Sequence, residues 1–314
     1  MRAASGRKIW VAPPELPATH YIDNRIYTDE TIFRTEQEKI FYKSWKFACH
    51  ESEIRNPGSY RVVEIGAISI IVLRDIDYKI RAFFNSCPHR SAKLVRNSAG
   101  MLPGNRLQCF YHHWSFSMGG ECLHIPRSEA YANSTVCREN IALRDVRVEC
   151  VCGLVFVTFD DDARPIARFL GSTMESIREP LADLELLHYH RVEIHANWKL
   201  FVETNCEGYH ELLHLLNRTT GLSQPAYRKR LWHLHENGHH TFEPAQIAYN
   251  RLALGERTSA TLPGMTANGH VVVDLFPDAM VNVRATVVRI DSLIPLAPGL
   301  TVLECRGLGR RDDS

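Results

Sequence analysis

Residues 85–94 read NSCPHRSAKL, and residues 107–116 read LQCFYHHWSF. Each stretch carries one cysteine and one histidine close together, Cys87-Pro-His89 in the first and Cys109-Phe-Tyr-His112 in the second. The spacing is C-x-H, an interval of 19 residues, then C-x-x-H. The interval is polar and contains glycine, so two loop tips can face one site, each offering a thiolate and an imidazole. Such donors suit a transition metal. A tetrahedral zinc usually takes cysteines as one pair along the chain and histidines as another. Mixed loops fit a two-iron cluster better, one iron holding both sulfurs and the other both imidazoles.

Around these loops the chain reads as short β-rich runs, YRVVEIGAISIIVLRD (60–75), YKIRAFFN (78–85) and LVFVTFDD (154–161), separated by turn residues such as RNPGS, LPGN and SMGG. That predicts a small antiparallel β domain over 45–162. Ahead of it, residues 1–44 form an arm and a helix. TDETIFRTEQEKIFYKS (28–44) spaces Ile32, Phe33, Ile40 and Phe41 along one helical face behind Thr28 or Asp29 as cap. This helix is expected to pack across the next domain. The polar DDDARPIARF (160–169) marks a boundary, after which 163–314 mixes helices near 173–182 and 198–216 with late strands HVVVDLF, AMVNVRA and TVLECRGL. The second domain is therefore expected to be α+β.

At 314 residues and 45% hydrophobic, the chain can bury the cores of about two domains. With 37 basic against 36 acidic residues it has no electrostatic footprint for nucleic acid or an anionic membrane. No run approaches a membrane span, and the first twenty residues lack a signal-peptide core, so the expectation is a soluble cytoplasmic protein. In that compartment nine cysteines are thiols rather than a disulfide framework.

A second constellation lies in NWKLFVETNCEGYHELLHLLNRTTG (197–221), where offsets of 4, 3 and 4 align Glu203, Glu207, His210 and His214 on one helical face. Two histidines and a carboxylate with open positions is an arrangement of O2-handling Fe(II) enzymes, although Glu/His faces are also common on solvated helices.

Together the two motifs resemble the Rieske proteins, and more narrowly the α subunits of Rieske non-haem iron oxygenases of the ring-hydroxylating type. CPHR and CFYHHWSF stand where that family has its cluster loops, and Asn197-Trp198-Lys199, Glu207 and His210 match its catalytic-iron helix. GLVFVTF and the late strands extend the resemblance over nearly the whole chain. It implies an N-terminal antiparallel β Rieske [2Fe-2S] domain followed by an α+β catalytic domain with an antiparallel sheet and helices. Cys87 and Cys109 would hold one cluster iron and His89 and His112 the other. His210 and His214 would bind mononuclear Fe(II), and Glu207 would bridge His112 of one subunit to His210 of the next in a head-to-tail trimer. Electrons would come from a reductase or ferredoxin fed by NAD(P)H, in a homotrimer or an α3β3 assembly, to drive hydroxylation of a small organic, aromatic substrate by O2. A Rieske monooxygenase or demethylase, or a subunit lacking catalytic iron, is the alternative.

Four departures stand out. The family usually has glycine where this chain has His113, asking a Cβ to occupy a tight turn. Most members carry Asp at the Glu207 position. The second family histidine follows after four residues, whereas His214 follows after three and position 215 is Leu. The family's third iron ligand arises on a helix after the late strands, and this sequence ends at LECRGLGRRDDS, so the catalytic domain is expected to be C-terminally incomplete. Asp274, Asp278, Asp291, Asp312 and Asp313 are poor substitutes, and Glu207 is a further candidate.

Cys150 and Cys152 alternate as on a strand and are expected in the core, like Cys49, Cys122, Cys137, Cys206 and Cys305. His233, His235, His239 and His240 read as a polar loop at a pocket mouth. Arg228, Lys229 and Arg230 offer cations for an aromatic carboxylate substrate, although such runs are usually solvated.

Overall fold

The structure is a computed structural model that describes residues 23–206, 231–243, 260–266 and 269–311. It divides into two compact units, Lys39–Ile166 and Met1–Glu38 with Ala167–Ser314. The first is an antiparallel β unit and the second combines helices with an antiparallel sheet, as the sequence predicts.

The first unit is built from antiparallel strands. β1 (Lys46–His50) pairs with β10 (Leu154–Thr158), which pairs with β9 (Arg147–Val151). β2 (Ser59–Ile65), β3 (Ile68–Arg74), β4 (Ile80–Phe84) and β5 (Ala99–Met101) form a second sheet in the order β4-β3-β2-β5. β6 (Arg106–Gln108), β7 (Ser115–Ser117) and β8 (Cys122–His124) form a third. Ile71, Leu73, Phe83, Leu107, Trp114 and Phe116 pack into one buried cluster that also contains Cys87 and Cys109, so the motif cysteines are rooted in the domain core.

Cys152 does not lie on a strand. It and Gly153 are the two turn residues of the β9–β10 hairpin, at φ +50° and +76°, the left-handed conformation that tight hairpins demand. The expected period-2 alternation thus ends at Cys150, which is exposed rather than in the core. Of the other cysteines, Cys49, Cys122 and Cys305 are buried as expected, whereas Cys137 is half-buried and Cys206 is exposed.

In the second unit the opening helix is interrupted. α1 (Arg25–Thr28) stops at Asp29, whose extended backbone frees its carboxylate to accept from the N–H groups of Thr31 and Ile32 at 2.7 and 3.0 Å. The cap starts α2 (Glu30–Glu36), and the chain continues as a wider turn over Gln37–Phe41. Glu36 accepts from Trp198 Nε1 and Lys199 Nζ, tying α2 to the later part of the chain. The helix expected over 173–182 is instead α3 (Ile166–Leu170) and a 3₁₀ segment Gly171–Ser176. Ile166, Leu170, Met174, Ile177 and Leu181 are buried at helical spacing, which is what the sequence pattern detects, but Gly171 at φ +55° ends α3 and the 3₁₀ segment leaves helical geometry at Ile177.

Among the described residues, seven strands form one antiparallel sheet. They are β11 (Glu185–Ile194), β12 (Leu231–Leu234), β13 (His240–Glu243), β14 (His270–Leu275), β15 (Ala279–Arg284), β16 (Val288–Ala297) and β17 (Leu300–Gly309), in the order β11-β17-β16-β15-β14-β13-β12. α4 (Trp198–Cys206) begins at Asn197, whose side-chain oxygen accepts from Lys199 N and whose amide donates to the carbonyls of Tyr27 and Pro298. The rest of the helix expected to reach residue 216, with Glu207, His210 and His214, lies outside the described residues. So do Arg228, Lys229, Arg230, Asp312 and Asp313.

Candidate functional site

The two motif loops share one backbone design. Cys87 N–H donates to Ala92 O and Ser91 N–H donates back to Cys87 O, both at 2.9 Å. Cys109 N–H donates to Trp114 O at 2.8 Å and His113 N–H donates back to Cys109 O at 3.0 Å. In each loop the fourth residue after the cysteine is left-handed, Ser91 at φ +55° and His113 at φ +58°. Buried Asn85 fastens the first loop. Its Oδ1 accepts from Leu94 N and Val95 N at 2.9 and 3.0 Å, and its Nδ2 donates to Val95 O at 2.8 Å.

The side chains sort by chemistry. Cys87 and Cys109 are each 2% exposed. Burial pushes the Cys87 thiol up to about 11, with backbone N–H groups of His89 and Arg90 opposing and the neighbouring Cys109 thiol adding to the rise. A cationic iron would reverse that preference, since only thiolates ligate metal. His89 and His112 meet edge to face with centroids 4.6 Å apart, and Trp114 stacks flat on His89 at 4.8 Å and 5°. Burial, then the nearby His112, lowers the His89 pKa. Nδ1 of His112 is buried without a hydrogen-bond partner. An imidazole nitrogen stripped of water and left unpaired is costly unless a ligand occupies it. Among the described residues no group of three or more Cys, His, Asp or Glu side chains is arranged to hold one metal ion. Two adjoining thiols and two adjoining imidazoles suit a two-iron cluster.

In the second unit, α4 and the β13–β15 strands surround a small open recess lined by Phe201, Val202, Asn205, His240, Asp274 and Met280 among others. His240 Nε2 lies 2.9 Å from Asp274 Oδ2 and 3.3 Å from Cys206 Sγ. Burial pulls the His240 pKa down, but the Asp274 carboxylate and Cys206 outweigh it and raise it to about 10. The histidine run is thus not a polar loop. His233 and His240 are buried strand residues, and His239 is buried between them, accepting at Nδ1 from Phe276 N and donating at Nε2 to Phe169 O. Histidine's polarity suggested exposure, yet the rings of His239 and His240 find their partners inside the fold. Glu203 accepts from Tyr27 OH at 2.8 Å, Asp274 is engaged by His240, and Asp291 by Arg289 at 2.8 Å. Sequence reasoning missed Asn85 and Trp114 as supports of the site. A turn asparagine before a Cys-x-His and an aromatic after the second histidine were the available signals.

Comparison with known proteins places these features. The family described as Rieske [2Fe-2S] domain matches residues 44–147, and the ring hydroxylating alpha subunit (catalytic domain) matches 181–314. The chain is 39% identical to the 2-aminobenzenesulfonate 2,3-dioxygenase subunit alpha of Alcaligenes sp, over 97% of this chain and 78% of that one. It is 35% identical to the methanesulfonate monooxygenase hydroxylase subunit alpha of Methylosulfonomonas methylovora, over 97% and 76%. In fold it resembles the naphthalene 1,2-dioxygenase from Rhodococcus sp. bound to indole, at TM-score 0.78 and 22% identity over 94% of this chain and 74% of that one. The matched domains imply two cofactors, a Rieske [2Fe-2S] cluster and mononuclear Fe(II). The chain is an oxidoreductase that belongs to the α subunits of Rieske non-haem iron oxygenases, a family of oligomers that draw electrons from reductase or ferredoxin partners.

Proposed function

We propose that this oxygenase acts on a small organosulfonate. The carrying observation is that the two sulfonate oxygenases match 97% of the chain at 39% and 35% identity, whereas a terephthalate and an anthranilate dioxygenase subunit match 68% and 66% of it at 32% and 31%. A sulfonate replaces the carboxylate expected from the sequence, keeping the negative charge.

In this reading residues 45–162 carry the cluster and 163–314 the catalytic iron. Cys87 and Cys109 take one cluster iron, His89 and His112 the other, and His210 and His214 hold Fe(II). When bound, the cluster supplies single electrons and the mononuclear iron activates O2. The chain's own part is to orient and shield. Trp114 covers one face of His89 and fixes its ring plane. Glu207 accepts the outer ring N–H of His112 from one subunit and of His210 from the next, setting both tautomers. That role requires a ring of subunits, a homotrimer or α3β3, fed by a reductase or ferredoxin using NAD(P)H in the cytoplasm. Among the described residues no helix is long and apolar enough to cross a membrane.

The test is O2 consumption and product analysis with a reconstituted reductase, comparing 2-aminobenzenesulfonate and methanesulfonate with anthranilate, benzoate and carnitine. Sulfonate-dependent, NAD(P)H-coupled turnover supports the reading, and the number of oxygen atoms in the product separates dioxygenase from monooxygenase. Turnover of a carboxylate or amine with none of a sulfonate would refute it.

A further inference from the structure

β11 is the outermost described strand of the seven-stranded sheet, at the opposite end from β12 and β13. It carries His188 and His190, two positions apart and so on one face of the strand, and both are exposed. A β-bulge between Leu186 and His188 precedes them. Bulges re-aim the side chains beside them. Across the strand pair His188 faces Gly307, where a Cβ would stand 3.3 Å from that of His188, so the glycine leaves the imidazole room to lie over β17. The outcome is a ring pair with Nε2 of His188 3.1 Å from Nδ1 of His190.

At that distance the two nitrogens share one proton, one ring donating and the other accepting. Two imidazole nitrogens that bind a common ion, each at about 2.0–2.1 Å, stand about 2.9 Å apart at a right angle and about 3.4 Å apart at a tetrahedral angle. The observed separation falls between these values. A modest rotation of two exposed rings, with the donor ring shifting its proton to its other nitrogen, would therefore place a metal ion between them. Imidazole selects Cu²⁺, Ni²⁺ and Zn²⁺ over Mg²⁺ and Ca²⁺, with Cu²⁺ bound tightest of the divalent series. Among the described residues no third Cys, His, Asp or Glu side chain joins the pair, so water fills the remaining positions and the ion exchanges readily.

We propose that His188 and His190 form a surface binding site for a divalent transition-metal ion, Cu²⁺ foremost, separate from the Rieske cluster site and from the recess beside α4. Both rings then bind as neutral imidazoles, the donor ring's proton having moved to its other nitrogen.

The experiment titrates Cu²⁺ into the full-length holoprotein with its cluster oxidised, alongside His188→Ala, His190→Ala and the double variant. Wild type should take up one Cu²⁺ that the double variant does not, with copper EPR showing coupling to two imidazole nitrogens. Each single variant should weaken that uptake by about tenfold or more, because one ring cannot chelate. Millimolar Mg²⁺ or Ca²⁺ should leave it unchanged. The cluster spectrum should be the same in all four proteins, since both side chains are exposed. A double variant that binds the same equivalents at the same affinity, or keeps the two-nitrogen signature, would overturn the proposal.

Discussion

Ser91 and His113 occupy equivalent places in the two cluster loops, four residues after Cys87 and Cys109, and each returns its backbone N–H to the carbonyl of its own cysteine from a left-handed conformation. A non-glycine residue held there costs about 1–2 kcal/mol, partly offset by the greater unfolded-state entropy of glycine. His113→Gly should therefore keep the cluster and be as stable as wild type or about 1 kcal/mol more so. His113→Val should lose about 2 kcal/mol, because a β-branched residue resists this conformation. Denaturant unfolding checks both, and a valine variant as stable as wild type would remove strain from this position.

Trp114 is 3% exposed and stacked on His89. Its replacement by Ala should cost about 3–5 kcal/mol through the cavity left behind. It should also lower cluster occupancy, since His89 loses the surface that orients it. Trp114→Phe should preserve most of both. Visible absorbance per protein, measured beside thermal unfolding, separates the two effects.

Two neighbouring histidines should give stability opposite pH dependences. Burial lowers His239 to about 4, so it stays neutral in the fold while the unfolded chain takes up a proton near pH 6.5. Its contribution is present above pH 6.5 and lost as pH falls toward 4, amounting to about 3 kcal/mol at most. His239→Gln, which can still donate to Phe169 O, should flatten that acid limb. His240 is raised to about 10, so its pairing with Asp274 stabilises fully below pH 6.5 and fades as pH rises toward 10. Asp274→Asn should abolish the alkaline limb. Melting temperatures across pH 4–10 test both, and parallel profiles for wild type and variants would contradict the assignment.

If Glu207 bridges the two rings as proposed, Glu207→Gln should leave the cluster spectrum intact and slow oxidation of the reduced cluster by substrate and O2, because the accepting carboxylate is lost while the ligands remain. Unchanged single-turnover rates would take Glu207 out of the electron path.

The Rieske domain was legible because ligand chemistry demands particular residue types at particular spacings, and Cys87, His89, Cys109 and His112 offer them within short segments. The strands were legible as apolar runs bounded by turns. Their order was not, since pairing is nonlocal: β11 lies against β17, and Tyr189 OH reaches Glu304 across 115 residues. The helix expected at 173–182 failed because the chain there is a 3₁₀ segment that leaves helical geometry at Ile177, φ −122° and ψ −2°, although the apolar period continues to Leu181. The histidine run failed because polarity predicts exposure only when partners are missing, and His239 has partners at both ring nitrogens.

The ligand set of the cluster is tested most directly by counting iron and acid-labile sulfide in the purified protein and recording its EPR spectrum after reduction. The prediction is a brown protein with about two sulfides per chain and a low-average-g Rieske signal, lost in Cys109→Ala and in His112→Ala. A colourless protein holding one zinc and no sulfide, or a Rieske signal that survives both substitutions, would contradict it.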